Sequence, residues 1–343
     1  MNTNQIVKTI IGIDVGSKLF YACYKVKLTN GKVLIKGTKA FENTTKGIAE
    51  FYQWFKKRSK PTDVKPIFVM EATGVYYENL AYYLDEREEA VSVQLAQKVK
   101  YFAKGCNLKT KTDKVDAKMI AEFGIEKDLA NNGLWTPPSK EFKLVRDLTR
   151  EHTSLVGDRT RAKSQIHALE RSFVSNSNVV DLKEKQVEFY NKQIKTIEEE
   201  IRRIVKQDKE LYSKIQNIET IKGLGFMTIM KVVTETNGFL LFSSIRQLVS
   251  YAGLDIIEHE SGTIVGKTRI SKKGNARIRS ALYMPAMAAV RSNSTLKVFY
   301  ERLNQGKRVK KQGLIAVMRK LLILIYTLWK KNEKFIENHQ VSS

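Results

Sequence analysis

Two apolar runs, Thr9-Ile10-Ile11-Gly12-Ile13-Asp14-Val15-Gly16-Ser17-Lys18 and Pro66-Ile67-Phe68-Val69-Met70-Glu71-Ala72-Thr73-Gly74, each end in an acid and a glycine turn. Both read as buried strands, and the pattern between and after them alternates strand with helix. Phe20 to Val26 and Lys32 to Phe41 predict two further strands, with Asn30-Gly31 as the hairpin signal. Thr44 or Thr45 can cap an amphipathic helix to Lys57, its apolar face carrying Ile48, Phe51, Trp54 and Phe55. A helix through Tyr76 to Leu84 and a strand from Ala90 to Leu95 complete the pattern. Such an order implies an α/β layer architecture with a mixed sheet.

Asp14 and Glu71 are thus expected at the C-terminal ends of two central strands, where open sheets place ligands. Lys109-Thr110-Lys111-Thr112-Asp113-Lys114-Val115-Asp116-Ala117-Lys118 adds a second acid pair. Three residues apart, Asp113 and Asp116 share one helical face. The plain reading is a helix start, with Asp113 as N-cap and Asp116 in the first turn. The functional reading joins all four carboxylates into the donor set for two divalent ions about 4 Å apart on a phosphodiester. Magnesium suits such oxygen ligands, with manganese as a substitute. Lys109, Lys111, Lys114 and Lys118 crowd the same stretch and favour a polyanion.

Charge supports that preference. Lysine and arginine number 60 against 36 acids, a net +24, which implies a nucleic-acid or anionic-membrane partner. Membrane association is disfavoured: no signal-peptide pattern opens the chain, and the apolar run Leu314 to Trp329 is broken by Arg319 and Lys320. Cys23 and Cys106 lack metal-type spacing, which argues against a zinc site or disulfide framework and for a reduced, cytoplasmic setting.

Trp135-Thr136-Pro137-Pro138-Ser139 marks a boundary, because consecutive prolines end a helix and stiffen a linker. The expected divisions are 1–135, a helical coiled-coil spacer over 139–217, a mostly α region over 218–335, and a tail over 336–343. In the spacer a basic helix runs from Glu141 to about Phe173, and a second from about Leu182 to Ile218. Val187, Tyr190, Ile194, Ile197, Ile201, Ile204, Leu211, Ile215 and Ile218 keep spacings of three and four, with Asp208 as the polar occupant of the seam. Two such helices can pair with each other or zip against a second chain.

The third region opens on Ile221-Lys222-Gly223-Leu224-Gly225, which resembles a helix-hairpin-helix whose backbone N–H groups meet a DNA phosphate. Helical patterns follow at Ser244 to Tyr251, Lys273 to Val290 and Gln312 to Leu328. Between them, Glu258 to Arg279 carries glycines and the cations Lys267, Arg269, Lys272, Lys273, Arg277 and Arg279, a composition suited to close approach to a nucleic-acid backbone. Ser261 and Ser271 lie there too. Each is either a turn residue or a nucleophile toward phosphorus.

Taken in order, Gly12-Ile13-Asp14, Glu71-Ala72-Thr73-Gly74, Lys111-Thr112-Asp113-Lys114-Val115-Asp116-Ala117, Tyr251-Ala252-Gly253-Leu254, Glu260-Ser261-Gly262 and Arg269-Ile270-Ser271-Lys272-Lys273-Gly274-Asn275 resemble insertion-sequence transposases of the IS one-ten type. The resemblance implies an RNase H-like (RuvC-like) DEDD domain, with Asp14, Glu71, Asp113 and Asp116 as the magnesium-binding tetrad. It also implies a C-terminal transposase domain in which Ser261 is the nucleophile, Ser271 being the fallback. Family members act on donor and target DNA as dimers or tetramers guided by a structured bridge RNA, in the cytoplasm at the nucleoid. The rival readings are a junction endonuclease that uses water as nucleophile, a DNA-bridging coiled-coil protein, and a sugar-kinase-like ATPase. The last would need a second phosphate loop, which the sequence lacks.

Overall fold

The structure is a computed structural model that describes residues 5–60, 64–72, 74–107, 112–240, 242, 244–258, 260–261, 264–265, 268–306 and 309–336. The chain divides into two compact units, 1–137 and 138–343.

The first unit runs β1 (Ile6–Val15), β2 (Leu19–Leu28), β3 (Val33–Glu42), α1 (Thr45–Lys56), β4 (Ile67–Glu71), α2 (Glu78–Asp85), β5 (Ala90–Gln94), α3 (Ala96–Gly105), α4 (Asp113–Glu126) and α5 (Leu129–Asn132). Its five strands are ordered β3-β2-β1-β4-β5. The pairs β1–β2 and β2–β3 are antiparallel, and β1–β4 and β4–β5 are parallel, so the expected mixed sheet is present. Gly31 at the β2–β3 bend has φ of 81°, the left-handed backbone that such a tight hairpin demands. Thr44 caps α1 by accepting the Gly47 N–H at 3.1 Å.

Strand alternation separates two cores. Ile11, Ile13, Val15, Phe68 and Met70 point to the side covered by α1, where Phe51, Trp54 and Phe55 meet Phe20 and Phe41 in an aromatic cluster. Burying each of these rings contributes roughly 1.5–3 kcal/mol. Ile10, Ile67 and Val69 point to the other side, against Val99 of α3 and Ala117, Ile120 and Ala121 of α4. Gly12 lets α4 close directly onto β1: a Cβ there would lie 2.5 Å from the Ala117 carbonyl oxygen and nearer still to the Ala121 backbone.

The second unit runs α6 (Lys140–Glu170), α7 (Ser177–Gln207), α8 (Lys209–Glu219), α9 (Phe226–Glu235), α10 (Ile245–Tyr251), β6 (Ile256–Ile257), β7 (Glu260–Ser261), β8 (Ile264–Val265), β9 (Arg269–Ile270), α11 (Ala276–Ser292), α12 (Ser294–Asn304) and α13 (Lys311–Lys331). Helices α6 and α7 form an antiparallel hairpin: His152 meets Glu198 at 2.9 Å, and Arg159 meets Asn191 at 3.0 Å further toward the turn. Ile194, Ile197, Ile201 and Val205 form its buried seam.

The single helix expected from Leu182 to Ile218 is two helices. Asp208 takes φ −98° and ψ 103°, and its carboxylate accepts the Leu211 N–H at 3.0 Å, ending α7 and capping α8. The apolar spacing continues on both sides and so conceals the break. A side-chain acceptor that competes for backbone N–H groups supplies the reason. Among the described residues α13 is long and apolar enough to cross a membrane, yet half of that stretch is buried, with Val317, Leu321, Leu322 and Ile325 fully inside the core.

Candidate active site

The parallel register Ile13↔Met70 sets Asp14 beside Glu71, the last residue of β4. Asp14 also pairs with Tyr21 on β2, and Glu71 with Gln94 on β5. Alternation turns Asp14 to the same side as Ile10 and Gly12, and Glu71 to the same side as Val69, which is the side α4 covers. A transverse row Tyr21-Asp14-Glu71-Gln94 therefore lies at the C-terminal ends of the parallel strands.

Helix α4 retraces β1 in reverse. A Cβ on Gly124 would meet Ile10 and Val69, and one on Gly12 would meet Ala117 and Ala121. Two more strand residues, about 6.6 Å, correspond to about four helical residues at 1.5 Å each, which carries the helix to its first turn. That turn holds Asp113 and Asp116. Thr112 is the N-cap, its hydroxyl accepting the Val115 N–H at 3.3 Å, so the expectation of Asp113 as cap is corrected. A threonine preceding an aspartate competes for the same role, and here the threonine is the residue with extended backbone. Asp113 is exposed, and Asp14, Glu71 and Asp116 are half-buried.

All four acids thus share one side and one end of the sheet. Among the described residues no group of three His, Cys, Asp or Glu side chains converges closely enough to hold an ion. Magnesium seldom requires that, since it binds through one or two carboxylates, waters and substrate phosphates. The oxygen donor set fits it. Nearby, Lys114 is exposed, and Lys118 is half-buried and exerts its charge on Cys23, whose thiol is pushed up by burial. Lys109 and Lys111 lie outside the described residues.

In the second unit Ser261 is exposed on β7, paired with Ile264 of β8. Lys267 lies outside the described residues. Ser271 is committed elsewhere: its hydroxyl donates to the Asp255 carboxylate, and its N–H donates to the Asp255 carbonyl at 2.9 Å. Two stretches far apart in the sequence interlock here. Asn275 N–H donates to Tyr251 O at 2.7 Å and Lys272 N–H to Gly253 O at 3.1 Å, and a Cβ on Gly274 would fall 2.7 Å from Gly253 N. Arg279 ties the same joint by donating to Ala252 O at 2.8 Å. Arg269, Lys272 and Lys273 are exposed at its surface, whereas Arg277 reaches toward Glu235 at 3.9 Å.

Glu235 anchors this module and was not visible in the sequence. Its carboxylate accepts from Arg150 Nε at 2.6 Å, Arg150 Nη2 at 3.1 Å and Asn275 Nδ2 at 2.8 Å, while Asn275 Oδ1 caps α11. Burial works to raise its pKa, but the hydrogen bonds from Arg150 and Asn275 and the charges of Arg150 and Arg277 outweigh it. They hold the carboxyl below the usual range. Nothing in local spacing links residues 150, 235 and 275; only tertiary contact does.

A family model described as a transposase matches residues 11–173, which include all four acids, and one described as a transposase of the IS116/IS110/IS902 family matches residues 215–301, which include both serines. The pilin gene-inverting protein of Moraxella bovis is 30% identical over 334 residues, spanning 96% of this chain and 98% of that protein. The Moraxella lacunata protein of the same name matches to the same extent. The transposase for insertion sequence element IS1111A of Coxiella burnetii is 28% identical over 146 residues, 40% of this chain and 38% of that protein. With whole-length likeness and a family match on each unit, the chain belongs to the IS110 family of insertion-sequence transposases, enzymes that cleave and rejoin DNA.

Proposed function

We propose that the protein is a site-specific DNA recombinase in which an RNase H-like carboxylate site and a serine nucleophile act together. The observation that carries this reading is the row in which Asp14 stands beside Glu71, aligned with the first turn of α4. Asp14, Glu71, Asp113 and Asp116 would hold magnesium, which when bound neutralises charge on the scissile phosphate and polarises its phosphorus. The Ser261 hydroxyl gives up its proton as its oxygen bonds to phosphorus. The deoxyribose oxygen then leaves and takes up a proton, so one phosphodiester replaces another and its energy is kept for rejoining. The exposed β7 position of Ser261 and the engagement of Ser271 with Asp255 support Ser261 as the attacking residue.

The name of the Moraxella proteins supports strand exchange over simple hydrolysis, because inverting a DNA segment requires rejoining. A net charge of +24 supports a second nucleic acid, a structured guide RNA, held with donor and target DNA. The exposed α9 start at Gly225, which has no side-chain cap, offers backbone N–H groups to a phosphate. The working assembly is a dimer or tetramer at the nucleoid in the cytoplasm.

The test is to compare Asp14→Ala and Ser261→Ala with the unaltered protein on paired donor and target DNA. Each variant should lose strand exchange while keeping nucleic-acid binding, and denaturant-trapped protein–DNA adduct should vanish with Ser261. Strand transfer that survives in Ser261→Ala would remove the serine from the mechanism, and cleavage without adduct would favour a water-using junction endonuclease. Sequencing the RNA that co-purifies with the protein tests the guide.

A further inference from the structure

A cleft of about 550 Å³ opens at the end of the N-terminal sheet remote from the carboxylates, where β1 and β4 begin and α1 ends. That is within the size range of pockets that enclose small ligands, about 300–1,000 Å³. Its floor is built from Thr9, Tyr24 and Phe55, all essentially buried. The Thr9 hydroxyl there is buried and makes no hydrogen bond within the protein. Leaving a buried hydroxyl unmet is costly, so its presence on a cleft floor points to something that meets it.

The rim is cationic. Lys56, Lys60, Lys65 and Arg87 stand against Glu88 and Glu89. Glu89 is already engaged by Lys56 at 3.0 Å and by the Tyr52 hydroxyl at 2.8 Å. Lys65 donates to the Glu88 carbonyl at 2.9 Å, and Arg87 lies 3.5 Å over the Tyr83 ring. Both cations are thus held at the mouth.

We propose that this cleft binds one nucleotide of a single-stranded nucleic acid, with the base inward and the flanking phosphates on the rim. The orientation follows from desolvation. A neutral base edge can enter the closed floor and exchange a hydrogen bond with Thr9, whereas a phosphate would lose far more hydration there than at the solvated lysines. A strand supplies both parts of the ligand, and backbone charge tracking past a stacked base is how sequence-tolerant single-strand sites work. The proposal rests on the reading that this chain handles nucleic acid, but it needs neither metal nor strand cleavage.

The test is equilibrium titration of the full-length protein with a single-stranded hexanucleotide carrying 2-aminopurine, without divalent metal. The probe's fluorescence should change on binding. Thr9→Val, which keeps the shape and removes the hydroxyl, should weaken that response about fivefold. Lys65→Ala should weaken binding and lower the salt slope by about one. Ser59→Trp, placed at the mouth, should abolish the response. Displacement by adenosine monophosphate would mean that a free nucleotide is accepted as well; no displacement would mean that the strand is required. Unchanged affinity and fluorescence in both Thr9→Val and Ser59→Trp would overturn the proposal, whatever the outcome for strand exchange.

Discussion

Gly12 of β1 lies so close beneath α4 that a side chain at that position would fall 2.5 Å from the Ala117 carbonyl oxygen. The same contact sets how far the first turn of α4 reaches over Asp14. Gly12→Ala should therefore push the helix outward, costing about 1–3 kcal/mol and suppressing strand exchange. Gly105→Ala on α3, where an added methyl meets nothing within 4 Å, is the control and should be neutral or slightly stabilising. Urea denaturation midpoints of the two variants decide it.

Metal removal should separate chemistry from binding. With excess chelator, DNA nicking should stop while gel-shift affinity persists, and added magnesium or manganese should restore nicking. Nicking that continues under chelation would count against the carboxylate site.

Ser271→Ala and Ser261→Ala should differ in kind. Losing the Ser271 hydroxyl removes a tie to Asp255 and should loosen the joint by about 1 kcal/mol, with adduct formation reduced but present. Losing Ser261 should leave stability unchanged and remove the adduct entirely. Denaturing gels of labelled DNA read both outcomes.

Glu235→Gln should destabilise the second unit by about 1–3 kcal/mol at neutral pH, a range kept modest because Arg150 retains 35% side-chain exposure. The folded carboxyl is held below its unfolded value, so its contribution is complete above the unfolded carboxylate range and is lost as pH falls through the folded value. The stability gap between the two proteins should consequently close in acid, as measured by denaturation at pH 7 and pH 3.

His152 gives a second pH signature. Burial lowers its imidazole, against the opposing pull of Glu198 at 2.9 Å, so the folded state binds its proton less readily than the unfolded chain. Stability of the second unit should fall as pH drops through about 6.5 and level off below the folded value. His152→Phe should flatten that part of the profile in thermal melts.

The strands bearing Asp14 and Glu71 were legible because a buried strand writes a continuous apolar run, and Asn30-Gly31 fixed the hairpin between β2 and β3. Helix α3 was not, because it is short: Val99 and Phe102 share the face that packs on the core, but ten residues show that spacing only once. The cap at Thr112 and the break at Asp208 escaped for a shared reason. Several side chains can accept the same backbone N–H groups, and only the folded backbone angles select one. Glu235 was invisible because its partners lie 85 and 40 residues away. The pairing of Asp14 with Glu71 was foreseeable as strand-end chemistry, but their shared row needed the observed register.

The joint between residues 251–255 and 269–275 is fastened by backbone hydrogen bonds and two glycines, and therefore does not depend on what the intervening stretch contains. Ser261 lies between those fastenings and belongs to none of them, so the helical scaffold beneath should keep its footing when that serine is replaced.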